Sequence, residues 1–256
     1  MKLGIVIVTY NNEHTILECL RSIATEEVNS IHIIDSHSTD QTIQILQRQG
    51  CAYTVLDANK GFSHAANIGA TFLDTDYILF LNPDTELLPG ALHAMKSAIE
   101  TSPHAAVVGG MLVDATGLSE NDAFGGEIGL LHMIFRHVQK KTSLRNISSV
   151  AWVSGGALMI KRSIFEQLGG FDEEFFLYWE DIDLCKRVRD AGYGVYINPK
   201  AKVFHHRGVS SQGQQRKTEL YDASANRYFQ KYHSPLICYL QILLRNIYRL
   251  LRPLAH

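Results

Sequence analysis

No cysteine pair, no glycine-rich phosphate loop and no long apolar run occurs in this chain of 256 residues. Cys19, Cys51, Cys185 and Cys238 are scattered and form no CxxC, which argues against a zinc site or disulfide framework and fits a reducing compartment. Neither GxGxxG after the first strand nor GxxxxGK[ST] is present. That disfavours dinucleotide oxidoreductases and P-loop NTPases and leaves a metal to carry any phosphate charge. The formal net charge of −2 offers no basic surplus for nucleic acid. MKLGIVIVTYNN has too short an apolar run for a signal peptide and reads as a first strand. No internal repeat or low-complexity segment is present.

What is present is alternation. Apolar, β-branched runs at 3–10, 31–35, 51–56, 76–81 and 105–112 predict strands. Between them, 13–24, 61–73 and a segment from Pro89 to Ile99 carry helical spacing or helix-start signals. Such βαβ alternation predicts a mostly parallel sheet covered on both faces. Residues 113–150 break the rhythm and read as an insertion or active-site lid with a basic patch, RHVQKKTSLR. A strand at 150–162, a short helix, an amphipathic helix at 180–192 and strands YGVYIN and AKVFHH follow. In the tail, 235–253, Gln241, Arg245, Arg249 and Arg252 recur at helical spacing opposite a wide apolar face. Such a helix is too short and charged to span a bilayer. It lies either on a membrane surface or against protein, its own body or a second subunit, because amphipathicity alone does not separate these.

Carboxylates fall where such a sheet places ligands. Asp35 in IIDSHSTD and Asp84 in FLNPDTEL both fall at the C-terminal ends of strands that read as buried. Each alone is a common turn or cap residue; together they suit a nucleotide and a divalent cation. In GGFDEEFFLYWEDIDLCKR, Phe175, Phe176, Tyr178 and Trp179 precede Glu180 and Asp181. A carboxylate among aromatic walls suits general-base work, and aromatic faces suit sugar rings. VFHHRGVSS places two histidines at a strand end, structural residues unless a metal is present.

The ordered series VIVTYNN, IIDSHSTD, NKGFSHAANIGA, LFLNPDT, SGGALMIKR, GGFDEEFFLYWEDIDLCKR and HHRGVS resembles family 2 glycosyltransferases, in particular their rhamnosyltransferase-like branch. The resemblance implies an α/β GT-A fold over 1–232, a single mixed, mostly parallel sheet flanked by helices, with a Rossmann-like nucleotide-sugar-binding half at 1–110 and an acceptor and catalytic half at 111–232, followed by the amphipathic tail at 233–256. It implies a nucleoside-diphosphate sugar donor, a glycan or lipid-linked acceptor of bacterial surface polysaccharide, and inversion at the anomeric carbon. Thr9, Tyr10 and Asp35 would line the base and ribose pocket, with Asn67 near the diphosphate. Asn82 and Asp84 occupy the DxD position, Asp84 binding Mn²⁺ or Mg²⁺ with His205 as second ligand. Asp181 would be the base, Trp179 and Glu180 would shape the acceptor side, and Gly155 and Gly156 would let backbone pass close to the sugar. Ser36 stands where the family commonly has Asp or Asn, and so removes one base or ribose contact. The implied location is cytoplasmic, with the tail touching the inner face of the membrane or another copy of the chain. A nucleotidyltransferase shares the carboxylate–metal logic but gives FFLYWED and HHRG no task; an inactive sugar-nucleotide-binding module would not need Asp84, Asp181 and His205 together.

Overall fold

A computed structural model describes residues 2–24, 26–101, 103–120, 123–129, 144–206 and 214–251. The first half alternates as its apolar runs predict: β1 Leu3–Thr9, α1 Ile16–Ile23, β2 Ser30–Asp35, α2 Thr42–Gln49, β3 Tyr53–Val55, α3 Phe62–Thr71 and β4 Tyr77–Leu81. β1 and β4 are buried along almost their whole length, as strands covered on both faces must be. β5 Thr85–Leu87, α4 Ala91–Thr101, β6 Ala105–Val113, β7 Phe124–Gly125 and β8 Ser148–Ser149 follow. Then come β9 Trp152–Val153, β10 Ala157–Lys161, α5 Arg162–Gln167, α6 Glu180–Asp190, β11 Gly194–His205, α7 Gln214–Tyr232 and α8 Pro235–Leu251.

The main sheet runs β3-β2-β1-β4-β10-β6-β11-β5, with β8 on β11. β3, β2, β1 and β4 are mutually parallel, and this half follows the expectation. The other half is mixed. β10 enters between β4 and β6, antiparallel to both, so β4 and β6 are not neighbours although α4 joins their segments. The strand expected over 150–162 is broken by a turn at Ser154–Gly156 into β9 and β10. YGVYIN and AKVFHH are one strand, β11, whose pairing with β6 shifts register between Asn198 and Lys202. Residues 121–122 and 130–143 of the stretch read as an insertion or lid lie outside the described residues; its described parts carry β7, which pairs with β9 in a small second sheet, and β8.

α7, for which the sequence pattern predicts nothing, braces the acidic segment before α6. Ser224 Oγ donates to the Leu177 carbonyl at 2.8 Å, and Tyr221, Tyr228 and Phe229 pack their rings on Trp179. Below them Asp183, fully buried, accepts from Arg187 Nε (2.8 Å), Lys231 Nζ (2.8 Å) and the Tyr232 hydroxyl (2.7 Å). A buried carboxylate is tolerated here because three donors answer it. Burial, then the hydrogen bond to Asp183, holds the Tyr232 phenol well above its usual range, so it donates at any physiological pH. Asp183→Ala removes the acceptor while leaving two cations half-buried, which should cost about 3–5 kcal/mol; urea unfolding that shows a loss under about 1 kcal/mol would remove Asp183 from this role.

Candidate active site

The loops after β1 and β2 knit into one floor. Thr9 and Asp35 are paired in the β1–β2 register. Asn11 N donates to Ser38 Oγ (2.9 Å), Thr39 N to Asn11 Oδ1 (2.7 Å) and Asn12 N to Thr42 Oγ1 (2.8 Å). Asn11 and His37 sit at φ of 55° and 69°, left-handed conformations that asparagine and histidine tolerate better than most residues. Asn12 Oδ1 accepts from both Thr9 Oγ1 (3.1 Å) and the Tyr10 amide (2.9 Å). Asp35 is fully buried; its Oδ1 accepts the Ser38 amide at 2.8 Å, while its Oδ2 is buried with no hydrogen-bond partner among the described residues. A buried carboxylate oxygen without a donor is costly.

Asn67 does not leave its amide open toward the floor. Its Nδ2 donates to the Phe171 carbonyl (2.9 Å) and Glu173 Oε1 (3.0 Å), and its Oδ1 accepts the Phe171 amide (2.8 Å). It clamps α3 to the loop before α6. The same seam passes through Gly61, at φ 97° with the Phe176 carbonyl 2.4 Å from where a Cβ would stand; only glycine fits there.

At the end of β4, the Asn82 amide donates to the Gly156 carbonyl at 3.0 Å. One residue back, the Gly155 amide donates to Asp181 Oδ2 at 2.7 Å. The Ser154–Gly156 turn thus grips the NPD end of β4 through the Gly156 carbonyl and the first turn of α6 through the Gly155 amide. Asp181 Oδ1 also accepts the Ile182 amide at 2.7 Å, so both carboxylate oxygens are held and the plane of the group is set. A Cβ on Gly155 would stand 3.6 Å from Asp181 Oδ2, an ordinary contact. Burial, then the charges of Glu180 and Asp84, raise the Tyr178 phenol above its usual range.

His205, at the end of β11, places Nε2 3.5 Å from Asp84 Oδ2 and Nδ1 3.0 Å from Glu120 Oε2. Burial alone would lower its basicity; the hydrogen bonds and charges of Asp84 and Glu120 outweigh that and lift it to about 9. Without a cation, His205 is therefore an imidazolium between two carboxylates. Glu120, only 7% exposed, is the residue the sequence pattern misses: it comes from the segment read as an insertion, with no periodicity to mark it. Next door, Glu86 pairs with His206. One carboxylate and one imidazole make a set suited to Mn²⁺, and Glu120 on the far nitrogen orients the ring as an outer partner does. Among the described residues no group of three or more acidic, histidine or cysteine side chains is arranged to hold a metal. An open pair of this kind fits a cation shared with diphosphate oxygens. Residues 207–213, the remainder of HHRGVS, lie outside the described residues.

The two residues expected on the acceptor side face inward. Trp179 is 2% exposed inside the α7 aromatic cluster, so its ring is a core anchor rather than a sugar platform. Glu180 is buried, and burial, then the Asp181 charge, push its carboxyl well above the usual carboxylate range. Tyr178 and Trp179 adopt φ of 69° and 70°, two successive left-handed residues that turn the chain sharply into α6.

Residues 4–169 match the family described as Glycosyl transferase family 2, and residues 136–208 match one described as N-terminal domain of galactosyltransferase. An N-acetylglucosaminyl-diphospho-decaprenol L-rhamnosyltransferase of Mycobacterium tuberculosis is 31% identical over 239 residues, covering 82% of this chain and 77% of that protein. Rhamnosyltransferase WbbL of Escherichia coli is 27% identical over 217 residues, covering 79% and 82%. Among solved structures, GalNAc-T7 with UDP, GalNAc and Mn²⁺ aligns at a TM-score of 0.67 and 16% identity, over 87% of this chain but 47% of that longer one. The mannosyltransferase PcManGT of Pyrobaculum calidifontis, in complex with GDP-Man and Mn²⁺, aligns at 0.65 and 18% identity, over 95% and 69%. These structural likenesses show the expected GT-A arrangement of the sheet. On the extent of the family match and the identity to the mycobacterial enzyme, the chain belongs to glycosyl transferase family 2.

Proposed function

We propose that this glycosyltransferase moves a sugar from a nucleoside-diphosphate donor to a hydroxyl of a glycan or lipid-linked acceptor, inverting the anomeric carbon. The observation that carries this reading is the Ser154–Gly156 turn, which binds the Asn82 amide through the Gly156 carbonyl and the Asp181 carboxylate through the Gly155 amide. The leaving-group motif and a fixed carboxylate thereby share one wall. On the donor side, the orphaned Asp35 Oδ2 is an acceptor waiting for an N–H of a nucleobase, with Thr9 and Tyr10 flanking it. Asn82 and Asp84 face the diphosphate; Asn67 acts at one remove, by holding the 171–173 loop. Asp84 and His205 Nε2 would hold Mn²⁺ or Mg²⁺, whose charge when bound offsets that growing on the departing diphosphate.

Asp181 takes the proton of the acceptor hydroxyl as its oxygen bonds to the anomeric carbon. The bond from that carbon to the diphosphate oxygen breaks, and its electron pair leaves with the nucleotide. Attack and departure on opposite faces invert the centre. The names of the mycobacterial and E. coli relatives favour rhamnose as the sugar, and the former favours a polyprenyl-diphosphate-linked acceptor. Such an acceptor would keep the enzyme at the inner face of the cytoplasmic membrane.

Asp181→Asn keeps an oxygen for the Gly155 amide but no basic site; sugar transfer from dTDP-rhamnose to a lipid-linked acceptor should fall by about 10²–10⁴-fold, with nucleotide affinity by calorimetry unchanged. Ordinary turnover by that variant would sink the assignment. Because the His205 imidazolium must lose its proton to bind a cation, Mn²⁺ affinity should climb with pH below about 9, by up to about tenfold per unit. In His205→Gln that slope should flatten, and in Asp84→Ala binding should be lost. A pH-independent Mn²⁺ affinity in the wild type would exclude His205 as a ligand.

A further inference from the structure

α8 is amphipathic with its polar face turned inward. Gln241, fully buried, donates from Nε2 to Asn226 Oδ1 at 2.8 Å, and Arg245 donates to the same oxygen at 2.9 Å. Arg249 forks onto both carboxylate oxygens of Asp222, at 2.6 and 2.8 Å. Asn226 and Asp222 belong to α7, so polar contacts hold this helical hairpin. The opposite face carries Leu236 (67% exposed), Tyr239 (65%), Ile242 (36%), Leu243 (41%) and Ile247 (41%). Spacings of three, four and seven align these into one stripe along the helix. They are five of the nine large apolar side chains exposed among the described residues, so the molecule's exposed apolar surface is concentrated on one element. Such a contiguous patch marks an interaction site rather than ordinary surface.

Charge selects the partner. Residues 214–256 contain seven Lys or Arg and two acids, a net of +5, whereas residues 1–213 carry −7. From His233 onward there are three arginines and no acid. Arg245 and Arg249 line the inner edge of an uncharged outer stripe, and an anionic surface would answer the net positive charge of the whole segment. Among the described residues no helix is long and apolar enough to cross a bilayer, so α8 would lie in the interface, with Tyr239 suited to headgroup depth. We infer that the outward face of α8 docks on an anionic lipid surface. This rests on the geometry and charge of the helix and would survive a different donor or acceptor.

The test is flotation of the full chain with vesicles. Wild type should float with vesicles containing about one-third phosphatidylglycerol and at least about tenfold less with pure phosphatidylcholine. The triple variant Leu236→Glu, Leu243→Glu, Ile247→Glu should lose at least about tenfold of the binding while keeping its far-UV spectrum, Tm and thermal shift with donor nucleotide. If the triple variant melts early, the milder Leu243→Ser, Ile247→Ser pair makes the same comparison. Absence of flotation, equal flotation onto neutral vesicles, or variants that float as well as wild type would each overturn the inference. So would light scattering that shows a dimer which ignores vesicles and which the triple variant splits.

Discussion

Two consecutive glycines do what the rest of the molecule is arranged to permit. The Gly156 carbonyl and the Gly155 amide point to opposite clients, the Asn82 amide at 3.0 Å and the Asp181 carboxylate at 2.7 Å. For one turn to serve both, the strand after it must lie beside β4, and β10 does so antiparallel, pairing Ala157 with Leu81. A parallel neighbour would put its turn at the other end of the sheet, away from the NPD segment. The reversed strand beside the parallel half is therefore what brings the NPD segment and Asp181 to one edge.

The chain leading into α6 is strained as well as positioned. Tyr178 and Trp179 both hold left-handed backbone, a conformation costing on the order of 1–3 kcal/mol for each non-glycine residue. It persists because the surroundings over-determine it. Ser63 Oγ and the Phe62 amide bind the carbonyls of Phe175 and Phe176, each at 2.7 Å. Ser224 Oγ binds that of Leu177 at 2.8 Å, and the Trp179 ring is locked among Tyr221, Tyr228 and Phe229. α3 and α7 press from two sides, and the chain between them has one way into α6.

The parallel half was legible because strands buried on both faces read as unbroken apolar runs and their helices as 3.6-residue periodicity. Strand direction has no local signature, which is why β10 could be found but not oriented. The inward turn of Trp179 was illegible for a different reason: the rings that bury it come from α7, whose buried positions include Ser224 and Ala225 as well as Tyr228 and Phe229 and form no obvious apolar stripe. Glu120 was hidden in an aperiodic segment, and its contact with His205 joins residues far apart in the chain. Asp35, Asp84 and Asp181 stood out because each ends a strand or starts a helix, positions that chain pattern marks.

α8 shows most plainly how pattern and placement differ. Its periodicity announced two faces, yet nothing local says which face turns inward. The choice lies on α7, where Asn226 and Asp222 offer oxygens to Gln241, Arg245 and Arg249. A polar seam sacrifices the apolar burial that usually fixes a surface helix, which makes sense where another apolar phase covers the outer face. The same α7 that receives these arginines on one side closes over Trp179 on the other, and its last turn answers Asp183 through Lys231 and Tyr232. A helix resting on a lipid surface would thus be joined, through α7, to the turn that carries Asp181. For an acceptor whose sugar rides on a membrane-bound lipid, that linkage would fix the height of the base above the bilayer.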